Sequence, residues 1–215
     1  MKRTTEQLIA DLARHASPVR RLRTPLTRAL LWLAVVAIVA AAAVWLKADV
    51  RVFMARAANL RMAIELAATL ATGVLGVIAA FHLSVPDRPR SWLLAPLAPL
   101  AVWIGASGYE CWRNWIAPTG GGWAAGESAM CFMFILGVGA ALGLLLYWPI
   151  RRAKPIDPDG VVVAGGLGVA GLASFILQFF HPFDVTFMDL GWHLAAIAVL
   201  LGASWLLGRR GLGPA

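Results

Sequence analysis

Charged residues are scarce in this sequence: Asp, Glu, Lys and Arg together make up 14% of its 215 residues. Apolar residues make up 60%, and the mean hydropathy is +0.74. A soluble globular domain usually has about 25% charged residues. The shortage of charge therefore excludes an ordinary soluble domain and indicates a chain whose solvent is mostly lipid.

Polar interruptions within the long apolar runs are also few. Crossing a hydrocarbon core of about 30 Å takes about 20 helical residues. Six runs reach that length, at 26–46, 62–85, 91–109, 128–150, 161–180 and 187–208. The runs are continuous and do not alternate, so they predict helices and not the strands of an outer-membrane barrel. The predicted fold class is all-α, a polytopic bundle of six transmembrane helices.

Basic residues are unevenly distributed between the two sides of this predicted bundle. Fourteen Lys and Arg residues flank the spans on the side of the termini, and five lie on the opposite side. Basic residues are retained in the cytoplasm, so both termini are predicted to be cytoplasmic. The predicted organisation is a cytoplasmic arm at 1–25, a membrane domain at 26–208 and a cytoplasmic tail at 209–215. We interpret the first run as an anchor, not as a removed signal peptide.

Catalytic motifs are absent as well. The sequence contains no P-loop, nucleophile elbow or HExxH motif, and no chain of carboxylates or histidines marks an ion pathway through the spans. These absences argue against an enzyme and against a permanent cofactor. The net charge of +8 reflects the charge asymmetry across the membrane, so we predict no direct binding to nucleic acid.

The first part of the arm has the pattern of a short amphipathic helix. Thr4 and Gln7 fit a capping box, which predicts a helix that begins at about Thr5. The apolar residues Leu8, Ile9 and Leu12 then fall on one side of that helix. Such a short helix is marginal alone, so its apolar side needs a partner surface.

A basic segment follows this helix. Ser17 and Pro18 end the helix, and Val19, Arg20, Arg21, Leu22 and Arg23 lead toward the first span. One interpretation is a basic collar that lies on anionic lipid. The other is a docking segment for a cytoplasmic protein, in which the apolar side enters a groove.

Several residues within the spans indicate helix packing. Pro96 and Pro99 each remove a backbone donor and predict a kinked third span. Glu65 follows Arg61 by one turn, a spacing that predicts an ion pair with a structural role. Small residues let helices approach closely. The glycines expected to do so are Gly139, Gly143, Gly165, Gly166, Gly168 and Gly171.

The two cysteines, Cys111 and Cys131, lie on either side of the third connection. The two spans that they end and begin are consecutive and antiparallel, so both thiols are expected at the same depth on the outer side. His181 and His193 are predicted on that side too. Soft thiolate ligands favour Cu(I), with zinc or cadmium as alternatives, and imidazole can complete the set.

Two other interpretations of the cysteines stay open at this point. A cysteine pair that faces an oxidising compartment commonly forms a structural disulfide. Buried cysteines also serve simply as small hydrophobic residues. A histidine at a membrane interface is often only a hydrogen-bonded interfacial residue.

Short motifs in a fixed order resemble the NrsF-like family of bacterial inner-membrane anti-sigma factors, the negative regulators of the extracytoplasmic-function sigma factor sigma F. The resemblance covers nearly the whole chain. The motifs that carry it are the apolar segment 8–12, Ser17-Pro18-Val19-Arg20-Arg21-Leu22, Gly108-Tyr109-Glu110-Cys111, Cys131-Phe132 and Leu190-Gly191-Trp192-His193-Leu194.

This resemblance implies a function for both ends of the bundle. In the cytoplasm, the arm is expected to sequester an extracytoplasmic-function sigma factor. The binding residues would be Leu8, Ile9, Leu12, Pro18, Val19, Arg20, Arg21 and Leu22. On the periplasmic side, Cys111 and Cys131 match the positions that take part in sensing heavy metal. The alternatives are a small inner-membrane transporter of metal or solute, and a membrane-assembly subunit with packing roles only.

Overall fold

A computed structural model of the chain describes residues 4–15, 22–116, 125–180 and 187–211, and all regular structure in these ranges is helical. This confirms the predicted all-α fold class. A 3-10 turn, Arg90–Leu94, precedes the fifth of the α-helices. The α-helices in chain order are α1 Thr5–His15, α2 Pro25–Lys47, α3 Val50–Ala57, α4 Leu60–Leu83, α5 Leu97–Ile116, α6 Ala125–Arg151, α7 Pro158–Leu177 and α8 Phe187–Gly211.

Five helical segments within the described ranges have the length and composition to cross a membrane, which indicates a membrane protein. They are Pro25–Lys47, Leu60–Leu83, Arg90–Arg113, Met130–Arg151 and Pro158–Leu177. In α8 the apolar part covers Leu190–Leu206 and is shorter than these five. Five of the six predicted spans are therefore confirmed, and the sixth span stays a prediction together with the placement of the termini.

Side-chain caps fix where two of the spans begin. At α2, Thr24 accepts a hydrogen bond from the Thr27 amide over 3.3 Å, and Pro25 occupies the first helical position. At α7, the Asp157 side chain accepts from the Gly160 amide, and the first helical residue is again proline. Such caps satisfy amides that have no partner within the helix. The cap starts α7 three residues before the predicted boundary of its span.

The connection between α2 and α4 contains a short helix, α3, that the apolar pattern does not predict. The Asp49 side chain accepts hydrogen bonds from the amides of Arg51 and Val52, at 3.0 and 3.2 Å, and so begins the helix. From α3 the Phe53 ring stacks on the Phe179 ring, with centroids 4.0 Å apart. This aromatic contact fixes α3 against the end of α7.

The third span differs from the prediction of one kinked helix over 91–109. It consists of the 3-10 turn, a break at Ala95 and Pro96, and then α5, which continues to Ile116. Proline is tolerated ahead of a helix and in its first turn, because the amides there need no intrahelical acceptor. Pro96 and Pro99 therefore mark the start of α5 instead of kinking it. The longer helix places Cys111 within α5, whereas the sequence placed it at the end of the span.

The centre of the bundle is the pair α4 and α7, which pack against each other more extensively than any other two described elements. Most residues of α7 are buried. A Cβ atom added to Gly76 of α4 would lie 2.7 Å from the Gly168 Cα atom of α7. One added to Gly171 would lie 2.9 Å from the Gly73 amide nitrogen. Glycine on both helices therefore sets their separation, as expected for close packing in a membrane.

The predicted glycine contacts are confirmed at some positions and wrong at one. A Cβ at Gly165 would meet Leu146 of α6 at 3.2 Å, and one at Gly166 would meet Leu201 of α8 at 2.7 Å. On α6, a Cβ at Gly139 would lie 2.5 Å from Leu200. At Gly143 it would meet no atom of the described residues within 4 Å. The second glycine of the predicted small-xxx-small pair therefore borders open space instead of a helix.

Candidate functional site

The predicted capping box at the start of α1 is present. The Thr4 amide donates to Gln7 Oε1 over 3.2 Å, and the Gln7 amide donates to Thr4 Oγ1 over 3.3 Å. The helix begins at Thr5, as predicted. The amides of Thr4 and Gln7 thus both find side-chain acceptors, which stabilises the start of the helix.

The apolar side of α1 faces solvent. Leu8, Ile9 and Leu12 are 46%, 61% and 64% exposed, and no residue of this helix is buried. Leu22, after the helix, is exposed as well. Three apolar side chains on one side of a helix form a surface that fits a groove in another protein. The other predicted arm residues, Pro18, Val19, Arg20 and Arg21, lie outside the described residues.

Cys111 is buried, with 1% of its surface exposed, and lies on α5 one turn after Ser107. The Ser107 hydroxyl donates a hydrogen bond to Glu65 Oε1 of α4 over 2.8 Å. Ser107 and Glu65 are themselves buried, at 3% and 7% exposed. The side of α5 that carries Cys111 is therefore the side that a buried polar contact joins to α4.

Cys131, on α6, is also buried and belongs to an apolar cluster. The cluster joins α6 to Ala170, Ala173 and Leu177 of α7 and to Ala196 of α8. A change in the volume or charge of this thiol would act directly on the packing of three helices, because such interiors tolerate little change in volume.

Aromatic residues next to Cys131 contact α8 and the segment that follows α7. The Phe132 ring packs edge-to-face against Trp192 of α8, with centroids 5.1 Å apart. The Phe134 ring lies 5.6 Å from Phe180, which follows α7. His193, next to Trp192, is half-buried at this end of α8. His181, directly after Phe180, lies outside the described residues.

The described residues were compared with the ligand sets that bind metal ions. Among them, no group of three or more His, Cys, Asp or Glu is placed to hold a metal ion. The nearby residues Met130 and Met133 are 74% and 66% exposed. The ligand roles of Cys111, Cys131, His181 and His193 all stay predictions.

Sequence reasoning assigned Glu65 only to an ion pair with Arg61 on its own helix. In the structure, Glu65 is buried and its carboxylate accepts a hydrogen bond from another helix. The Arg61 guanidinium lies over the Tyr109 ring, 4.9 Å from its centroid. An ionisable residue within a membrane span indicates a functional site by default, and this signal was available in the sequence. The predicted pairing of Arg61 with Glu65 stays a prediction.

Comparison with known proteins identifies a family. The model of a family described as NrsF, negative regulator of sigma F, matches residues 12–213. No curated protein and no solved structure matches the chain. The matched region contains all five confirmed spans, both cysteines and α8, and it leaves most of α1 outside. The chain therefore belongs to the NrsF family, the negative regulators of sigma F.

Proposed function

We propose that this chain is an inner-membrane anti-sigma factor with six spans and both termini in the cytoplasm. Its arm sequesters an extracytoplasmic-function sigma factor and keeps it from RNA polymerase. A heavy metal, copper first among them, or oxidation acts at Cys111 and Cys131 on the periplasmic side and releases the sigma factor. The coarse function follows from the family, and the roles of the arm and the cysteines are our proposal.

The observation that carries the proposal is the exposed apolar side of α1. A capped helix with Leu8, Ile9 and Leu12 exposed exists without a partner surface in the described structure. An amphipathic helix that lays such a side into a hydrophobic groove is a common mode of recognition. Basic residues in the following segment would steer the arm toward acidic patches on the sigma factor.

Two charge-matched substitutions on α1 test the docking side. Leu12→Glu places a carboxylate on the apolar side, and Ala10→Glu places one about 160° around the helix. Co-purification of the sigma factor with the full chain should fall at least tenfold for Leu12→Glu and stay near the wild-type amount for Ala10→Glu. Equal recovery with both variants would show that α1 does not dock through this side.

A physical route connects the cysteines to the arm. Cys111 lies on the side of α5 joined to α4 by Ser107 and Glu65, and Cys131 packs against α7. At the opposite end of α4, the Arg28 guanidinium of α2 lies 5.1 Å from the centre of the Phe81 ring. Arg28 also donates to the Pro149 carbonyl of α6. Because α2 follows the arm directly, a shift of the α4 and α7 pair would reach the arm through α2.

The size of the required signal can be bounded. Moving the bundle from 1% to 99% in the releasing arrangement requires the signal to favour that arrangement by roughly 5.5 kcal/mol. Thiolates are preferred donors for soft cations such as Cu(I). In this proposal, metal binding by the two cysteines supplies that difference. Formation of a Cys111–Cys131 bond would likewise favour one arrangement.

Substitution of the cysteines tests the sensing role. In cells that carry a sigma-dependent reporter, Cys111→Ser and Cys131→Ser should each abolish induction by copper or cadmium while repression without metal is retained. Met130→Ser is the matched control, since Met130 is a sulfur-containing neighbour of Cys131 with an exposed side chain. Normal induction in the doubly substituted chain would exclude the cysteines as the sensor.

A further inference from the structure

A groove of about 400 Å³ runs between α6, α7 and α8. Its wall is apolar, and the only described lining residues with a polar side-chain atom are Tyr147 and Ser204. The volume lies within the range of about 300–1,000 Å³ that is typical of small-molecule sites. Two of the helices that form the groove, α6 and α7, are long and apolar enough to cross a membrane. The molecules available to fill the groove are therefore mainly lipids.

Gly143 borders a part of the groove that no described side chain fills. Elsewhere along the contact, side chains reach the glycines: Leu200 packs at Gly139 and Leu146 packs at Gly165. At Gly143, which lines the groove, an added Cβ would meet no atom within 4 Å. The space beside Gly143 is therefore part of the groove and is not filled by the protein itself.

The groove has the length of one leaflet. On α6 its lining residues run from Gly139 to Ile150. At a rise of 1.5 Å per residue this is about 16 Å, which is about half of a hydrocarbon core of about 30 Å. A single acyl chain that extends from the membrane surface to the bilayer midplane fits this length.

One end of the groove is basic. Ile150 and Gly208 line that end, and the residues that follow them in the chain are Arg151 and Arg209. Two carboxylates, Asp157 and Asp159, precede Val161 on α7 at the same end, and Asp157 already pairs with Arg90 over 3.0 Å. The side chains of Arg151 and Arg152 are exposed, and the Arg152 guanidinium lies over the Trp148 ring. Basic residues beside a cleft between membrane helices bind anionic lipid head groups. The basic charge therefore favours a lipid with an anionic head group, in addition to an acyl chain in the groove.

From these features we infer that the groove binds an anionic phospholipid, with one acyl chain beside Gly143 and the phosphate at Arg151 and Arg152. Apolar lining, leaflet length and basic charge at one end point to the same ligand. The lining residues include neither cysteine and no residue of the arm, and the inference does not depend on the proposed function.

Native mass spectrometry of the full chain in detergent tests the site, with phosphatidylglycerol or phosphatidylcholine added. The wild-type chain should retain phosphatidylglycerol several-fold more than phosphatidylcholine. Gly143→Leu fills the groove and should lower the retained phosphatidylglycerol at least fivefold. Gly137→Leu is the matched control, because Gly137 is exposed on the same helix and also has no atom within 4 Å of an added Cβ. This control should bind like the wild type.

A second variant keeps the test independent of how well Gly143→Leu folds. Arg151→Gln combined with Arg152→Gln leaves the apolar wall unchanged and should remove the preference for phosphatidylglycerol. Equal retention of the two lipids by the wild type would overturn the proposal, as would wild-type retention in Gly143→Leu. If Gly143→Leu instead turns a dimer into a monomer without changing lipid retention, the groove holds a second copy of the chain and the lipid site is refuted.

Discussion

Ser107 of α5 donates a hydrogen bond to the carboxylate of Glu65 on α4 over 2.8 Å, and both side chains are buried. This contact joins two helices one turn before Cys111. In a membrane a buried carboxylate is costly unless it finds such a partner. The pair therefore both stabilises the bundle and fixes the position of the helix that carries the cysteine.

Removal of the Ser107 hydroxyl should destabilise the bundle. For Ser107→Ala we expect a loss of about 0.6 kcal/mol in the free energy of unfolding, with an upper value near 1.7, as for other hydrogen bonds between membrane helices. Ser174→Ala is the matched control, since the buried Ser174 hydroxyl has no hydrogen-bond partner among the described residues. Unfolding in mixed detergent and SDS micelles measures both. An equal loss in the two variants would contradict a specific role for the contact with Glu65.

Enlargement of Gly76 should disrupt the central helix pair. A Cβ there would lie 2.7 Å from backbone atoms of Gly168, and backbone cannot move aside as a flexible side chain can. Gly76→Ala is therefore expected to cost about 1–3 kcal/mol of unfolding free energy.

Gly105→Ala serves as the control for this substitution, because a Cβ at Gly105 would meet no atom within 4 Å. Its stability should be unchanged or slightly raised. A Gly76→Ala chain as stable as Gly105→Ala would mean that the two helices separate easily.

Replacement of Arg28 should loosen α2. Its guanidinium donates to the Pro149 carbonyl and lies over Phe81, so Arg28→Gln removes a charged donor from a partly buried position. We expect a loss of about 1.5–3 kcal/mol, the usual value for a hydrogen bond to a charged group.

The same variant bears on the proposed route to the arm. If α2 transmits the signal, Arg28→Gln should raise sigma-dependent transcription without metal, whereas Arg88→Gln, at an exposed position, should not. If the Arg28→Gln chain is less stable but still represses transcription fully, α2 does not transmit the signal.

The capping box should control the helicity of the arm. Thr4→Ala removes the acceptor for the Gln7 amide and is expected to cost about 1 kcal/mol of local helix stability. Amide hydrogen exchange in the full chain should then be about fivefold faster in the first turn of α1. Thr24→Ala, which uncaps α2 instead, should leave exchange in α1 unchanged. Exchange in α1 that is already unprotected in the wild type would mean that the helix forms only on a partner.

Local chemistry explains what could be predicted from the sequence. The capping box, the five confirmed spans and the close approach at Gly168 and Gly171 follow from side-chain type and periodicity over a few residues. The start of α5 was misjudged because hydropathy does not distinguish proline inside a helix from proline at its first turn. The short helix α3 was missed because its signal is a cap at Asp49 and not an apolar run.

The contacts between helices were harder to predict from the sequence. Which helix faces Glu65, and whether Gly143 meets a side chain or open space, depends on the rotation of each helix about its axis. Hydropathy sets the length of a span but not this rotation, which comes from packing against neighbours. The burial of Cys131 against α7 and α8 also depends on helix rotation.

The burial of α7 has a consequence for biosynthesis. Domains generally form from the N-terminus as the chain emerges, so α4 enters the bilayer while α7 has not yet been made. Until then the side of α4 that carries Gly73 and Gly76 lacks the helix against which it packs. Assembly of the bundle therefore waits for its innermost helix, and truncation before Pro158 would leave the earlier helices in the membrane without the surface around which they pack.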